Sequence, residues 1–363
     1  MPWPKTSLKE REARLRTNMA TGLKLKSVPG RLSNVGAVSA EVAAEIDDLH
    51  SRLDYEKDQI NIATMDDDHL IEKGIEMGLP RHPETKGQGE VTFSGTDGIT
   101  IEAGTVLQHQ LGMIYTTDAA VTIDGGVGIV AITAVQGGFD SNLAVDEKLS
   151  FAQTTVGVSS EIVVSKKITG GRPAEDKEAH RSRLLYRRAN PSMGGNDADY
   201  VVWAKMIPGV SDVWVYPRAM GLGTCTLRIM AYDEPDGPFP TDELRDQVKS
   251  HVEGHINPIT GQWSGAPIPD VPVVLMSAKY IDLEFEYLEP NDIDTLAAVK
   301  KSVAKELRKR AVPAGLIDWS WITSSVSNTV GEDKHKLIGD SSNIQCAVNE
   351  IAVVRNVTVV EQV

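Results

Sequence analysis

The 363-residue chain contains only two cysteines and few aromatic residues. Cys225 and Cys346 lie far apart in the sequence, so we expect reduced, buried thiols rather than a disulfide framework or a zinc site. Aromatic residues make up 5% of the chain. This low content disfavours a stacking platform for single-stranded nucleic acid or for sugars.

Long apolar runs are also missing. The N-terminus has no apolar core of signal-peptide length, and no run approaches the roughly 20 apolar residues of a membrane span. We therefore expect no membrane partner, and synthesis and folding in a cytoplasm. A hydrophobic content of 41% with 24% charged residues is typical of soluble globular proteins, and 363 residues suggest two to four domains.

Acidic residues outnumber basic residues outside the N-terminus. The net charge of −14 argues against nucleic acid as a partner, because phosphate binding requires the opposite sign. Residues 1–32 hold eight basic and two acidic residues, a local charge of +6, so the remainder carries −20. This basic arm either docks on the acidic surface of a neighbouring copy or partner, or is a solvated, poorly ordered terminus.

The patterns predict an α+β multidomain fold with four parts. Residues 1–85 form an N-terminal arm and helical bundle segment, and residues 86–168 form a small antiparallel β domain. Residues 169–275 and 276–363 each mix helices with hairpin strands, which predicts two α+β sandwich modules. We expect no catalytic, cofactor or metal site in any of them.

In the N-terminal segment, Ser39 is expected to cap a helix from Ala40 to Ile60. Apolar residues along this helix are spaced by four, three, four and seven positions, which places them on one face. A short helix from Leu8 to Met19 is expected before this one, so we label the helix from Ala40 to Ile60 α2 and its apolar face the α2 stripe. The α2 stripe is the candidate helix-bundle interface: Val42, Ile46, Leu49, Leu53 and Ile60. A single helix cannot bury such a face alone, so either the next short helix, Asp67–Met77, or helices of other chains cover it.

Eight short runs of alternating β-branched residues between Val91 and Val164, separated by glycine corners, predict the β domain. After it, a helix with Glu175, Asp176 and Glu178 in its first turn is expected. A second helix capped by Asp197 or Asp199 should follow.

The rest of the chain is expected to alternate in the same way. A helix capped by Thr241 should reach about Ile256 before Pro258, followed by a strand-like tract from Val271 to Leu288. Helices from Ile293 to Ala311 and from Leu316 to Val330, and a final strand, complete the prediction.

Two motifs resemble ligand sites. His251 and His255 lie four residues apart on a helix, as metal ligands can, but no third ligand is evident, which favours a surface helix end. Gly125 and Gly126 could form a phosphate loop, yet β-branched residues follow them where such a loop needs a helix. A strand turn is the favoured interpretation.

Two acidic clusters invite catalytic or metal interpretations. The Asp66–Asp68 run lacks the alternation of a calcium loop, which favours helix capping. Asp233, Glu234 and Asp236 could supply the acid and base of a glycosidase. The prolines and glycine around them favour an exposed turn.

An ordered series of motifs carries a family resemblance. From Thr169 the chain reads G-G-R-x-A-E, then R-x-R-L, D-Y-V-V-W-A, P-G-V, W-V-Y-P and G-L-G-T; upstream it reads L-P-R, V-T-F-S-G and G-T. This series resembles the baseplate J-like family, the wedge proteins of contractile phage tail baseplates of the Mu-like type. The resemblance covers roughly residues 60–275 strongly, and both ends more weakly.

The resemblance implies a structural wedge subunit and no enzyme. Such subunits are expected to pair with a second copy and a smaller wedge protein, to connect the central hub or spike and the sheath-proximal proteins with the tail fibre proteins, and to rearrange on contraction. The implied location is the virion tail baseplate, with assembly in the host bacterial cytoplasm. It also favours covering of the α2 stripe by helices of other wedge chains.

Two alternative functions stay open on the sequence. One is a tail adhesin or fibre connector that binds cell-surface glycan, against which the low aromatic content counts. The other is a tail-borne cell-wall hydrolase, which would depend on Asp233 and Glu234.

Overall fold

The computed structural model describes residues 6–153, 156–232, 237–257, 261–268, 270–338 and 342–360. Within these residues the fold is mixed α/β, with eight α-helices, one 3-10 turn and eighteen strands. The chain separates into two compact units. The first is Met1–Pro80 with Lys177–Leu185, and the second is Arg81–Asp176 with Tyr186–Val363.

Helices form the first unit. They are α1 (Leu8–Gly22), α2 (Asn34–Ile60), α3 (Asp67–Glu76) and the first nine residues of α4 (Lys177–Ala189). Ser7 and Glu10 begin α1 with a reciprocal capping box. The helix then packs against α2, where Arg11 pairs with Asp47 at 2.7 Å. The arm is therefore partly a folded helix and not only a solvated tail.

The start of α2 differs from the prediction. Ser33 caps the helix by accepting the Gly36 N–H at 3.1 Å, six residues before the expected cap. Ser39 lies inside the helix, fully buried, and its Oγ donates to the Val35 carbonyl at 2.6 Å. The early start was missed because glycine lowers helix propensity, and Gly36 sits in the first turn.

The beginning of α4 completes the first unit. His180 is fully buried, and its Nε2 lies 2.9 Å from the Leu79 carbonyl oxygen. Arg181 donates to the Met65 carbonyl at 2.8 Å. Since α4 begins at Lys177, Glu175 precedes it instead of lying in its first turn, as does Asp176.

A closed antiparallel barrel opens the second unit. Its strands are β1 (Gln88–Ser94), β3 (Val106–His109), β4 (Ile114–Thr117), β6 (Val127–Ala134), β7 (Lys148–Phe151) and β8 (Glu161–Thr169). They are ordered β1-β6-β4-β3-β7-β8, and β8 returns to pair with β1. The two remaining strands, β2 (Thr100–Ile101) and β5 (Val121–Thr122), form a separate ribbon. Alternate residues along the barrel strands point inward, including Val91, Phe93 and Tyr115, and fill the barrel core.

The central part of the second unit is a three-stranded sheet with helices packed on one face. Its elements are α5 (Asp197–Ala204), β9 (Asp212–Pro217), β10 (Cys225–Met230), α6 (Asp242–Glu253), β11 (His255–Ile256), β12 (Trp263–Ser264) and β13 (Val273–Val274). The sheet order is β13-β10-β9, with β10 antiparallel to β9 and parallel to β13. Thr241 caps α6 as predicted, whereas Asn196, not Asp197 or Asp199, caps α5.

The C-terminal part has a second three-stranded sheet. Its elements are β14 (Ser277–Glu289), α7 (Ile293–Arg310), β15 (Leu316–Ile317), α8 (Trp319–Ser327), β16 (Lys334–Ile338), β17 (Ile344–Gln345) and β18 (Glu350–Val359). The order is β16-β14-β18, and β14 and β18 run parallel. The expected strand tract from Val271 to Leu288 is two strands, β13 and β14. The helix expected from Leu316 starts only at Trp319.

Candidate functional site

The α2 stripe is an exposed apolar face. Leu49, Leu53 and Ile60 are 56%, 66% and 80% exposed, and Val42 and Ile46 are half-buried. All five lie on one side of α2, as predicted from their spacing. In the part of the chain that the structure describes, the outer half of this stripe stays open to solvent.

Packing by α1 explains why the stripe is left open. The buried face of α2 carries the small residues Gly36, Ser39 and Ala43, followed by Asp47. Helix α1 contacts this face at Ser39 and Asp47, and the backbone of residues 30 and 31 covers Gly36. At about 100° per residue, this face lies roughly 100° around the helix from the stripe. The short helix α3 is joined to the end of α2 through Asp66, whose N–H donates to Gln59 Oε1 at 2.8 Å.

The Asp66–Asp68 run caps α3, as the sequence favoured. Asp66 accepts the His69 N–H at 3.0 Å. The Tyr55 hydroxyl and then the His69 N–H hold the pKa of Asp66 well below its ordinary value, and the same hydrogen bond raises the pKa of Tyr55 to about 12. The carboxylate oxygens of Asp66 thus already accept hydrogen bonds from within the chain.

The two histidines on α6 stack on each other. The ring centroids of His251 and His255 are 4.0 Å apart, and Nδ1 of His255 lies 2.9 Å from the His251 carbonyl oxygen. Burial first, and the neighbouring His255 second, lower the pKa of His251 to about 4. Among the described residues no group of three or more His, Cys, Asp or Glu side chains could hold a metal ion.

The other sequence candidates have structural explanations or lie outside the described residues. Gly125 and Gly126 form the turn before β6, with φ of 61° and 80°, and the Gly126 N–H donates to the Asp97 carboxylate at 2.6 Å. Both cysteines are free and buried, and burial raises the pKa of Cys225 and of Cys346. Asp233, Glu234 and Asp236, like Pro258, lie outside the described residues. Of the helices in the described ranges, none is long and apolar enough to cross a membrane.

Two features were missed from the sequence. One is an apolar patch on the turn between β9 and β10, where Met220 is 62% exposed and Leu222 is 89% exposed. The fully buried carboxylate of Asp199 accepts the N–H groups of Met193 and Gly195 at 3.0 and 2.9 Å and so fixes the loop before α5. The D-x-D pattern after two glycines was the available signal for this anchor.

Three family models match the chain in sequence order. They are the baseplate J-like protein barrel domain over residues 90–171, the baseplate J-like central domain over residues 192–274, and the baseplate J-like protein C-terminal domain over residues 288–360. Together they span more than half of the sequence. The chain belongs to the baseplate J-like family.

Curated relatives of this baseplate J-like chain agree. It is 31% identical over 325 residues to the Mu-like prophage FluMu protein gp47 of Haemophilus influenzae, covering 89% of this chain and 90% of the relative. It is 29% identical to the baseplate protein gp47 of Escherichia phage Mu, covering 83% of each chain. Among solved structures, a chain of the anti-feeding prophage baseplate, 6-fold symmetrised, gives a TM-score of 0.44 at 12% identity and covers 95% of this chain and 90% of that chain.

Proposed function

We propose that this chain is a structural wedge subunit in the baseplate of a contractile phage tail or of a phage-derived injection particle. The observation that carries the proposal is the ordered match of barrel, central and C-terminal family models, combined with alignment to the phage Mu baseplate protein over 83% of both chains. The role is one of connection, in which the chain joins hub, sheath and tail fibres within the virion baseplate.

The α2 stripe is the surface through which we propose that the chain joins its wedge partners. These partners are a second copy of this chain and a smaller wedge protein, whose helices would complete a bundle around α2. Leu49 and Leu53 are more than half exposed. Covering one such side chain contributes about 1–2 kcal/mol, somewhat less than burial from full exposure. Two leucines and an isoleucine on one face therefore make a modest contribution to association, which adds to that of the other interfaces of the subunit.

The four segments, 1–85, 86–168, 169–275 and 276–363, are proposed as the modules of the subunit, the last two being α+β sandwiches. Rearrangement on contraction would then be a rotation of modules and subunits at their interfaces. Sharing the binding energy among many modest interfaces keeps such a ring able to move, because one dominant interface would lock it.

The bundle is tested by placing a charge in the stripe. The double variant Leu49→Asp/Leu53→Asp should lose assembly with co-expressed wedge partners, because two carboxylates would have to be buried in the bundle. The matched control is Ala44→Asp, which adds the same group to an exposed position on the opposite side of α2. Native mass spectrometry of the co-expressed complexes measures the outcome, and circular dichroism checks that the barrel stays folded.

Each result is decisive. A wedge complex that contains two copies of this chain with the control, and free subunit with the double variant, supports the proposal. If the double variant forms normal complexes, the α2 stripe is not a bundle interface. If the chain forms no complex with its wedge neighbours and binds glycans on an array, then it functions as an adhesin and not as a wedge subunit.

A further inference from the structure

Arg228 is a buried arginine that forms no ion pair with any residue in the described ranges. It lies near the middle of β10, the central strand of its sheet, and is 6% exposed. Its Nε is buried and finds no hydrogen-bond partner in the part of the chain that the structure describes. Its guanidinium carbon lies 4.1 Å from the centre of the Tyr216 ring, so the positive group rests on an aromatic face.

Thr226 presents a second such group beside it. This residue is 2% exposed, and within the described ranges its buried Oγ1 also has no hydrogen-bond partner. Residues two apart on a strand point to the same face, so Thr226 and Arg228 share one side of β10. The alternate residues Cys225, Leu227 and Ile229 lie in the core with α5 and α6. We call the side that carries Thr226 and Arg228 the rear face of β10.

The neighbours of this rear face are aromatic or already engaged. Across the ladder, Thr226 faces Tyr216 and Arg228 faces Trp214. The Tyr216 hydroxyl donates its proton to the Pro313 carbonyl at 3.1 Å, so it has no second proton to donate to another group on this face. At the other end of β9, Asp212 pairs with Arg308 at 3.4 Å.

Burying a positive charge is unfavourable unless a counter-charge or hydrogen-bond acceptors accompany it. Arginine keeps its charge at physiological pH, so it cannot avoid this cost by losing a proton. The Nε–H and the neighbouring Nη–H form a planar edge that matches two oxygens of a carboxylate, sulfate or phosphate. The Thr226 hydroxyl can donate a third hydrogen bond from the same side.

We propose that the rear face of β10 is an oxyanion-binding site, in which Arg228 holds two oxygens of the anion and Thr226 donates to it. The same chemistry is available from two sources. One is a free inorganic oxyanion, and the other is the carboxylate of an Asp or Glu side chain from a neighbouring chain in the assembly. Either ligand neutralises the charge of Arg228.

The test uses the purified full-length chain in chloride buffer at constant ionic strength. Sodium sulfate probes the inorganic anion and sodium acetate probes the carboxylate, with thermal unfolding as the readout. A saturable rise of the unfolding temperature by a few degrees is expected for the unmodified chain. Arg228→Met should abolish the rise and Thr226→Val should weaken it. Arg14→Met, which removes one exposed positive charge elsewhere, should leave it intact.

The two probes distinguish the sources. Saturation with sulfate indicates a free-anion site, and saturation with acetate alone indicates a carboxylate from a partner. No saturable effect of either salt, or an equal effect on Arg228→Met, overturns the proposal.

A measurement on the unmodified chain keeps the test valid if Arg228→Met fails to fold. In a sample labelled with ¹⁵N-arginine, the anion should shift one Nε–Hε resonance saturably, and Thr226→Val should weaken that shift. Uniform small shifts of all arginine signals would show non-specific salt effects and contradict the site.

Discussion

Asp199 shows how one buried side chain can organise a loop. Burial is the largest single influence and raises the pKa of its carboxyl. The hydrogen bonds from Gly195, Met193, Ser192 and Asn196 together outweigh burial and hold the pKa below its ordinary value of 3.8. Arg187 adds an ion pair at 3.3 Å. Because the folded-state pKa is depressed, the stabilisation is present above about pH 4 and is lost as the pH falls through the folded-state pKa.

We predict that Asp199→Asn lowers the free energy of unfolding by about 1–3 kcal/mol at pH 7, since one oxygen acceptor of the loop N–H groups becomes a donor. Urea denaturation followed by circular dichroism measures the loss. Asp197→Asn, an exposed position two residues away, is the control and should change stability by less than about 0.5 kcal/mol. Equal effects of the two variants would contradict the anchoring role of Asp199.

His251 gives the protein a separate dependence on pH. Its pKa falls from an ordinary 6.5 to about 4 in the folded chain. Above pH 6.5 the group is neutral in both states, and between pH 6.5 and 4 only the unfolded chain takes up the proton. Stability is therefore lost as the pH decreases through this window.

Replacing His251 with Asn should flatten this dependence. Between pH 7 and pH 5 the unmodified chain should lose about 1–2 kcal/mol more unfolding free energy than His251→Asn, allowing for partial solvent screening. His255→Asn removes only the smaller cause of the shift and should give an intermediate slope. Parallel pH profiles of all three proteins would show that His251 does not titrate as described.

At the scale of elements, the sequence predicts helices and strands correctly where they depend on residues that are close together in the chain. All eight strands of the β domain and the cap at Thr241 agree with the structure, because alternation and capping depend on neighbouring residues. The spacing of the α2 stripe also placed its five residues on one face. That the stripe serves as a bundle interface stays a prediction.

What failed depends on distant partners or on competing local signals. Ser33 and Ser39 are equally good caps locally, and packing of α1 on Ser39 decides between them. The sequence predicts a helix from Leu316, where the structure has the short strand β15, because the partner that makes it a strand, β17, lies far along the chain. Barrel closure and the burial of Arg228 and Thr226 likewise follow from strand pairing that the sequence does not display.

Barrel closure between β1 and β8 requires a residue without a side chain at Gly89. A Cβ there would lie 2.8 Å from the Lys166 carbonyl oxygen and 2.8 Å from Cγ1 of Ile168. We predict that Gly89→Ala costs about 1–3 kcal/mol, because the two strands must separate. Urea denaturation followed by far-ultraviolet circular dichroism measures the decrease in unfolding free energy.

Gly30→Ala is the control, since its added Cβ would meet no atom of the described residues within 4 Å apart from its own chain neighbours. It should unfold at the same urea concentration as the unmodified chain. A Gly89→Ala barrel as stable as that control would mean that the β1–β8 seam can widen freely.

At the scale of the whole molecule, the uneven distribution of charge along the chain can act over the longest distance. Residues 1–32 carry +6 and the remainder carries −20. Arg11 pairs within the first unit, whereas Lys9, Arg14 and Lys26 are exposed. These three can attract an acidic surface of a neighbouring chain.

We predict that association with other baseplate proteins weakens as salt rises from about 50 mM to about 500 mM, because exposed charges are screened within a shorter distance. Changing Lys9, Arg14 and Lys26 to Gln should weaken association at low salt and reduce its salt dependence. Analytical ultracentrifugation of the co-expressed chains measures both. An association that is insensitive to salt and to these changes would leave the basic arm without a docking role.

The pairing of the first barrel strand with the last has a consequence for how the domain could be inherited. Thr85 and Arg172 exchange backbone hydrogen bonds of 2.9 and 3.1 Å, so the polypeptide enters and leaves the barrel at one point. Such a module can be excised, exchanged or enlarged while the two flanking stretches of backbone keep their positions. Phage lineages could therefore vary this part of the subunit by recombination without redesigning the rest.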